Sequence, residues 1–257
     1  MRSIAVIVAS NSEDVLHSSL LASPDLKNGV EISVQRGSRS AAEAYNKGIA
    51  ETKSEVMIFV HQDVYLPAGW RQRLDRALEW LSVNDPSWGV LGLFGVEKNG
   101  AGQGHIYSTG LRRVIGELFE GARPVETLDE VMLILRRSSG LRFDESLPGF
   151  HLYGGDICLL AEAHGLKSYA ISACAVHNTN GIRFLPRAYW KIFFQMRSKW
   201  RARLPVQTPC MPITRGCGAA LRYAVRRPLW LMRHGANVGT RVADPKAVWE
   251  RVVGSGK

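Results

Sequence analysis

Val56-Met57-Ile58-Phe59-Val60-His61-Gln62-Asp63-Val64-Tyr65 decides how the rest of the chain is read. Five apolar residues run together, too few for a helix that must bury itself and rich in the β-branched and aromatic types that suit strands. A polar tripeptide ending in a carboxylate then follows at once. This is a buried strand with Asp63 at its carboxyl end, where open α/β sheets bind their ligands.

Working outward, Ile4 to Val8 forms another apolar strand, Ser12 to Leu21 is amphipathic, and Val30 to Val34 is a third strand. Between that strand and Val56, Ala42, Tyr45 and Ile49 recur at helical spacing, with Glu43 and Lys47 as an i,i+4 pair on the outer face. Strands alternating with helices predict βαβ units and a parallel sheet. A further helix is expected from near Pro67, carrying Trp70, Leu74, Leu78 and Leu81 on one stripe. Trp88 to Phe94 and Glu130 to Leu135 read as strands separated by a Gly-rich loop. Asp156 to His164 reads as a short helix closed by Gly165, and Ser168 to Ala173 as a strand ending just before His177.

The chain has 257 residues, 46% of them hydrophobic and 22% charged, enough for a substantial core. Its start, Met1-Arg2 followed by Ile4 to Ala9, is expected to be a buried strand rather than a leader, because the apolar run meets Asn11-Ser12-Glu13-Asp14 directly. No apolar stretch has the roughly 18 residues a membrane span needs. Cys158, Cys174, Cys210 and Cys217 form no C-x-x-C pair and read as reduced thiols of a cytoplasmic protein, with a Cys210–Cys217 bridge as the alternative.

Charge divides the chain near residue 182. Residues 1 to 182 carry seventeen basic and twenty-one acidic side chains, whereas Arg183 to Arg241 holds thirteen Lys or Arg and no acid. We therefore expect a catalytic domain over 1–182 and a basic, mainly helical extension over 183–257. Between Arg187 and Arg203 aromatic and basic residues interleave. That pattern suits a helix on anionic lipid at the inner membrane surface, a docking face for a phosphorylated acceptor, or a helix packed on the domain with its charges solvated. No nucleic-acid module is recognisable and no nucleic-acid partner is expected. Gly100-Ala-Gly102-Gln-Gly104 lacks the spacing of a dinucleotide loop and is expected to be a mobile loop on the acceptor side; P-loop and nucleophile-elbow motifs do not occur.

Ser40-Ala-Ala-Glu-Ala-Tyr-Asn46-Lys-Gly48-Ile49, then His61-Gln62-Asp63-Val64 and Gly69-Trp70, resembles the family 2 glycosyltransferases, in the subgroup with an HQD version of the D-x-D motif. Leu141 to Glu145, Gly149 to Leu159, His177-Asn178 and Gly181 continue the resemblance, which covers roughly residues 3 to 210. It implies a GT-A fold, a mixed sheet flanked by helices, and transfer of a sugar from a nucleoside-diphosphate donor to a saccharide, lipid-linked glycan or natural-product hydroxyl. It implies Mn²⁺ or Mg²⁺ as cofactor, Asp63 and His177 as metal ligands and Asp156 as the base. Donor binding falls to Ala9, Ser10, Asn11, Glu13, Arg36, Asn46, Gln62 and Asp63, and the acceptor side to His151 and Tyr153. Two departures stand out: His61 replaces the first acid of D-x-D, and Gly154-Gly155 stand where many relatives have another acid. Gln35-Arg36 likewise replaces an acid that reads uridine in relatives, so the nucleotide base stays open.

The chemistry needs these groups. Departure of the nucleoside diphosphate builds negative charge that a divalent cation stabilises, and the acceptor hydroxyl must lose a proton to a carboxylate. With one base and no evident nucleophile, inverting single displacement is the simpler course. Asp156 could instead cap its helix, and His177 could be a loop residue in the turn-forming run it opens. A nucleotidyltransferase, or a non-catalytic carbohydrate- or membrane-binding relative, are the rival readings.

Overall fold

The computed structural model describes residues 3–27, 29–180, 185–218, 220–225 and 240–254; Met1, Arg2, Gly181 and Arg183 lie outside the described residues. In chain order the strands are β1 (Ile4–Ser10), β2 (Glu31–Arg36), β3 (Val56–His61), β4 (Val64–Tyr65), β5 (Val90–Gly92), β6 (Phe94–Val96), β7 (Gly102–Ser108), β8 (Arg113–Gly116), β9 (Ala122–Val125), β10 (Thr127–Leu128), β11 (Met132–Arg136), β12 (Ser168–Ile171) and β13 (Val176–His177). The helices used below are α1 (Glu13–Ser18), α2 (Ala41–Glu51), α3 (Trp70–Asn84), α4 (Tyr153–Ala163), α5 (Arg187–Lys199) and α6 (Pro245–Gly254).

Seven strands form the main sheet in the order β2-β1-β3-β11-β5-β12-β9. Alternation inside the apolar strands shows why they carry no polar face. Val56, Ile58 and Val60 of β3 enter one core and Met57 and Phe59 the other, and β1 divides Val6 and Val8 from Ile7 in the same way. Helices α1 and α3 cover the first face through Leu16, Trp70, Leu74 and Leu78, and α2 and α4 cover the second through Tyr45, Ile49, Tyr153 and Ile157. Each such side chain withdrawn from water contributes about 1.5–3 kcal/mol, so two covered faces favour an unbroken apolar run.

The parallel-sheet expectation holds for β1, β2 and β3, which pair side by side, and for β5 with β12, which run in the same direction beyond β11. β11 runs antiparallel between β3 and β5, and β9 antiparallel beside β12, so the sheet is mixed. One expected strand and one expected loop are also revised: Trp88 to Phe94 breaks at Leu93 into β5 and β6, which belong to different sheets, and the Gly-rich segment, read as a mobile loop, largely forms the start of strand β7, paired antiparallel with β6. Gly104 sits there at φ 139°, and a Cβ on it would lie 2.2 Å from the Leu93 carbonyl oxygen. Glycine is what lets two backbones approach this closely.

Ser12 and Ser40 cap α1 and α2 by accepting from the Val15 and Glu43 amides. α3 begins at Trp70, after Gly69 in the left-handed region, rather than at Pro67. α4 begins at Tyr153, three positions before the expected Asp156, because Leu152 turns the chain at φ 60°. A Cβ on Gly154 would lie 2.7 Å from the Leu128 carbonyl oxygen, so α4 rests directly on the β10 backbone.

Helix α5 buries Tyr189, Ile192, Phe193 and Met196 against Leu147, Leu152 and Leu159 in a third cluster. All four cysteines are free thiols. No helix among the described residues is long and apolar enough to cross a membrane.

Candidate active site

The carboxyl ends of β1, β2 and β3 open into one cleft of about 490 Å³. Ala9, Ser10 and Asn11 line it from β1, Gln35, Gly37 and Ser38 from β2, and His61, Gln62 and Asp63 from β3, with Tyr45 below and Phe150 from the loop before α4. Gln62 ties two of these ends together. Its Oε1 accepts from Ser10 Oγ (2.8 Å) and the Asn11 and Ser12 amides (3.0 and 3.1 Å).

His177 reaches Asp63 through a second, six-stranded sheet. Directly after Asp63, β4 pairs antiparallel with β13, placing His177 opposite Val64, while the Asn178 amide donates to the Asp63 carbonyl at 2.8 Å. His177 Nε2 then lies 3.5 Å from Asp63 Oδ1. His61 completes the group: one ligand atom from each of His61, Asp63 and His177 falls within 4.8 Å of the others. The sequence reading left His61 outside the ligand pair; the geometry brings it in.

A buried network fixes the His61 ring. Tyr153 Oη donates to the Glu130 carbonyl at 3.0 Å and lies 2.9 Å from His61 Nε2. Its one proton is thereby engaged, so the imidazole donates through Nε2–H and Nδ1 keeps its lone pair. An imidazole whose second nitrogen is held in this way is preset as a ligand. Burial lowers the pKa of His61, which keeps it neutral. Burial acts in the opposite sense on Asp63, yet the hydrogen bond and charge of His177, the His61 ring and Arg241 outweigh it, and the carboxyl lies well below its ordinary range.

Arg241 was not expected here. Its guanidinium donates to Asp63 Oδ2 at 3.0 Å and to the Asn178 carbonyl at 2.9 Å. Fully buried Asn178 secures that segment by exchanging side-chain bonds with the Val242 backbone, 2.8 Å from its amide and 2.9 Å to its carbonyl.

Asp156 is 2% exposed and does not cap its helix. Both carboxylate oxygens accept from Lys199 Nζ, at 2.7 and 2.8 Å, and Oδ1 also accepts from Trp200 Nε1 at 2.7 Å. Lys199 bridges on to Asp144 at 2.5 Å. Burial raises the Asp156 pKa, Lys199 and Trp200 pull it back, and the net stays above the ordinary value. Nearby, burial and the charge of Asp129 push Glu130 up to about 8.

Not every expected site residue reaches the cleft. Glu13 and Arg36 bind each other through two bonds of 2.7 and 3.0 Å. Asn46 holds the Phe143 backbone through bonds of 2.8 and 3.0 Å. Tyr153, 4% exposed, is placed in the core rather than on an acceptor-facing surface, and His151 packs edge-on against Tyr189. Tyr45, Phe150, Arg241, Lys199, Trp200 and Glu130 were missed. Tyr45 and Phe150 lie inside the motifs that carry the resemblance, and for them that position was the usable signal.

A covered α/β sheet whose parallel strands end in such a cleft, with a smaller sheet carrying a histidine to its edge, defines the GT-A class of fold. The chain belongs to the glycosyltransferase-like family, whose profile matches residues 5–180. It is 30% identical over 164 residues to a Fuscovulum blasticum protein described as ATP synthase subunits region ORF 6, an alignment that takes in 60% of this chain and spans 62% of that relative's length. It is similar in structure to GalNAc-T7 solved with UDP, GalNAc and Mn²⁺ (TM-score 0.53, 10% identity, 92% of this chain and 57% of that one), a likeness of fold. The Pyrobaculum calidifontis mannosyltransferase PcManGT, solved with GDP-Man and Mn²⁺, aligns at TM-score 0.49 and 14% identity over 99% of this chain and 80% of its own.

Proposed function

We propose that this chain is a metal-dependent, inverting glycosyltransferase of the family 2 type. It would move a sugar from a nucleoside diphosphate to the hydroxyl of a saccharide, lipid-linked glycan or natural product. The observation that carries this reading is the convergence of His61, Asp63 and His177 at the edge of the cleft.

Two imidazoles and a carboxylate suit Mn²⁺ better than Mg²⁺, which favours oxygen alone. The oriented Nδ1 of His61 and the ionised Asp63 fit that ion, and His177 would be the third ligand. When bound, the metal supplies positive charge against the diphosphate leaving group. Ala9, Ser10, Asn11 and Gln62 would hold the nucleotide, while the Glu13–Arg36 pair and Asn46 brace the strand ends and loop around it. Asp156 would take the acceptor proton, exchanging its Lys199 contact for the incoming hydroxyl. We assign catalysis to residues 1–182 and acceptor or surface contacts to the basic extension, 183–257. A cytoplasmic place at an anionic inner membrane surface rests on that extension alone. Because α5 buries most of its aromatic face and leaves Phe194 exposed, surface attraction is favoured over insertion.

Titration of the folded protein with nucleoside diphosphates, with and without Mn²⁺, tests the reading, together with slow release of free sugar from nucleotide-sugars. We expect at least one nucleotide to bind only with metal. Failure of every nucleoside diphosphate to bind with Mn²⁺ would sink the proposal, and pyrophosphate release from a nucleoside triphosphate would move the chain to the nucleotidyltransferases.

A further inference from the structure

A second cavity, of about 830 Å³, opens at the C-terminal end of α5 between Arg197, Arg201 and Arg215, with Phe194 and Leu204 as its apolar wall. Its volume is that of small-molecule sites. Among the described residues, no carboxylate pairs with any of the three guanidiniums, whereas neighbouring Arg203 is ion-paired with Glu162. Arg197 is fixed in place: it donates to the Thr214 carbonyl at 3.1 Å, to the Arg215 carbonyl, and to Cys217 Sγ at 3.4 Å. Arg201 and Arg215 are exposed. Three like charges around one hollow repel each other, and an anion relieves that repulsion. Guanidinium forks match phosphate oxygens in particular.

The same turn has another side. Lys199 and Trp200, which stand between Ser198 and Arg201 in sequence, hold the carboxylate of Asp156. The cavity and the candidate base therefore share one turn of chain.

We propose that this cavity binds the phosphate or diphosphate group of a small acceptor, so that the acceptor's hydroxyl is presented on the Asp156 side. The inference rests on the transferase reading for the word acceptor; anion binding by the cavity stands or falls separately.

Pyrophosphate is the probe, titrated calorimetrically into the full chain in EDTA, against the double variant Arg201→Ala/Arg215→Ala. Arg197 is left intact because it braces the segment, and a circular dichroism melt checks that the variant folds. We expect saturable binding to the natural chain, weakened by about tenfold or more in the variant, as loss of two charged hydrogen-bond donors requires. Equal pyrophosphate affinity in the two proteins overturns the proposal. A second arm sediments both with phosphatidylglycerol vesicles. Vesicle binding that needs the two arginines and resists excess pyrophosphate would make them an open lipid-facing surface and overturn the cavity assignment, while displacement by pyrophosphate supports it. Nucleoside diphosphate with Mn²⁺ is titrated alongside. If it binds neither protein yet the pyrophosphate difference remains, the cavity stands and the transferase reading fails.

Discussion

Asp63 and Asp156 are both nearly withdrawn from water, and each meets a cation from beyond residue 182, Arg241 for one and Lys199 for the other. Their acidities nevertheless move apart: Asp63 becomes a stronger acid and Asp156 a weaker one. Burial acts in the same sense on both, so the difference lies in what surrounds them. Asp63 has two imidazoles and a guanidinium about it, whereas Asp156 has Lys199 and the Trp200 indole and also feels the negative charge of Asp144. A metal ligand must be ionised at all working pH, and a proton acceptor is more effective when its pKa is nearer to that pH. The two environments are in keeping with the division of roles we propose.

The largest effect should come from removing the weaker acid's charge. Asp156→Asn keeps the shape and one acceptor oxygen for Lys199 and Trp200, gives up the other, and cannot accept the proton, so turnover should fall by about 10²–10⁴ with nucleotide affinity nearly unchanged. If Asp156 is the base as proposed, its protonation in the natural chain should abolish transfer, and its raised pKa should put the acidic fall of kcat/KM at a pH above the ordinary 3.8. Near-normal transfer by the Asn variant would shift the role to Asp144, Glu145 or the high-pKa Glu130.

Next comes the stronger acid. Asp63→Ala should weaken Mn²⁺-dependent nucleotide binding by at least about a hundredfold, since loss of an outer-shell partner alone commonly costs 10- to 100-fold. Calorimetry on the folded variant decides; unchanged affinity would leave the two carboxylates without the proposed division.

The smallest effect sharpens the comparison most. If the Arg241 guanidinium competes with metal for Asp63, Arg241→Ala should tighten Mn²⁺ binding by about two- to fivefold, the worth of a partly exposed ion pair. A weaker affinity instead would mean that Arg241 helps to hold the diphosphate.

The β3 segment announced both the sheet and the position of Asp63, because five apolar residues followed by a polar break have few other readings. His177 was found through the motif around it. What places it, the ladder of β4 on β13, involves two residues per strand, too short to leave a periodic signal. Arg241 and Lys199 sat in plain view as members of a basic run, but their contacts with Asp63 and Asp156 cross 178 and 43 positions of sequence, and composition cannot choose one cation from thirteen. The early start of α4 depends on a left-handed leucine, a conformation no leucine advertises. The Gly-rich segment misled for a related reason: glycine marks a turn or a close backbone approach equally well, and β7 uses the second.

The contact of Gly154 with the Leu128 carbonyl bears on what this lineage can become. Relatives with paired acids in this motif differ from the present chain by more than one replaceable side chain. A substituent at 154 would strike backbone that cannot swing aside, but one at 155 would meet nothing nearer than 3.8 Å. Placing a second acid at 154 therefore demands that α4 lift from β10, while position 155 has room for the first carbon of a side chain among Thr127, Met196 and Thr208. Mutational drift and protein engineering face the same asymmetry: the first glycine admits no side chain at all, the second at least a methyl group.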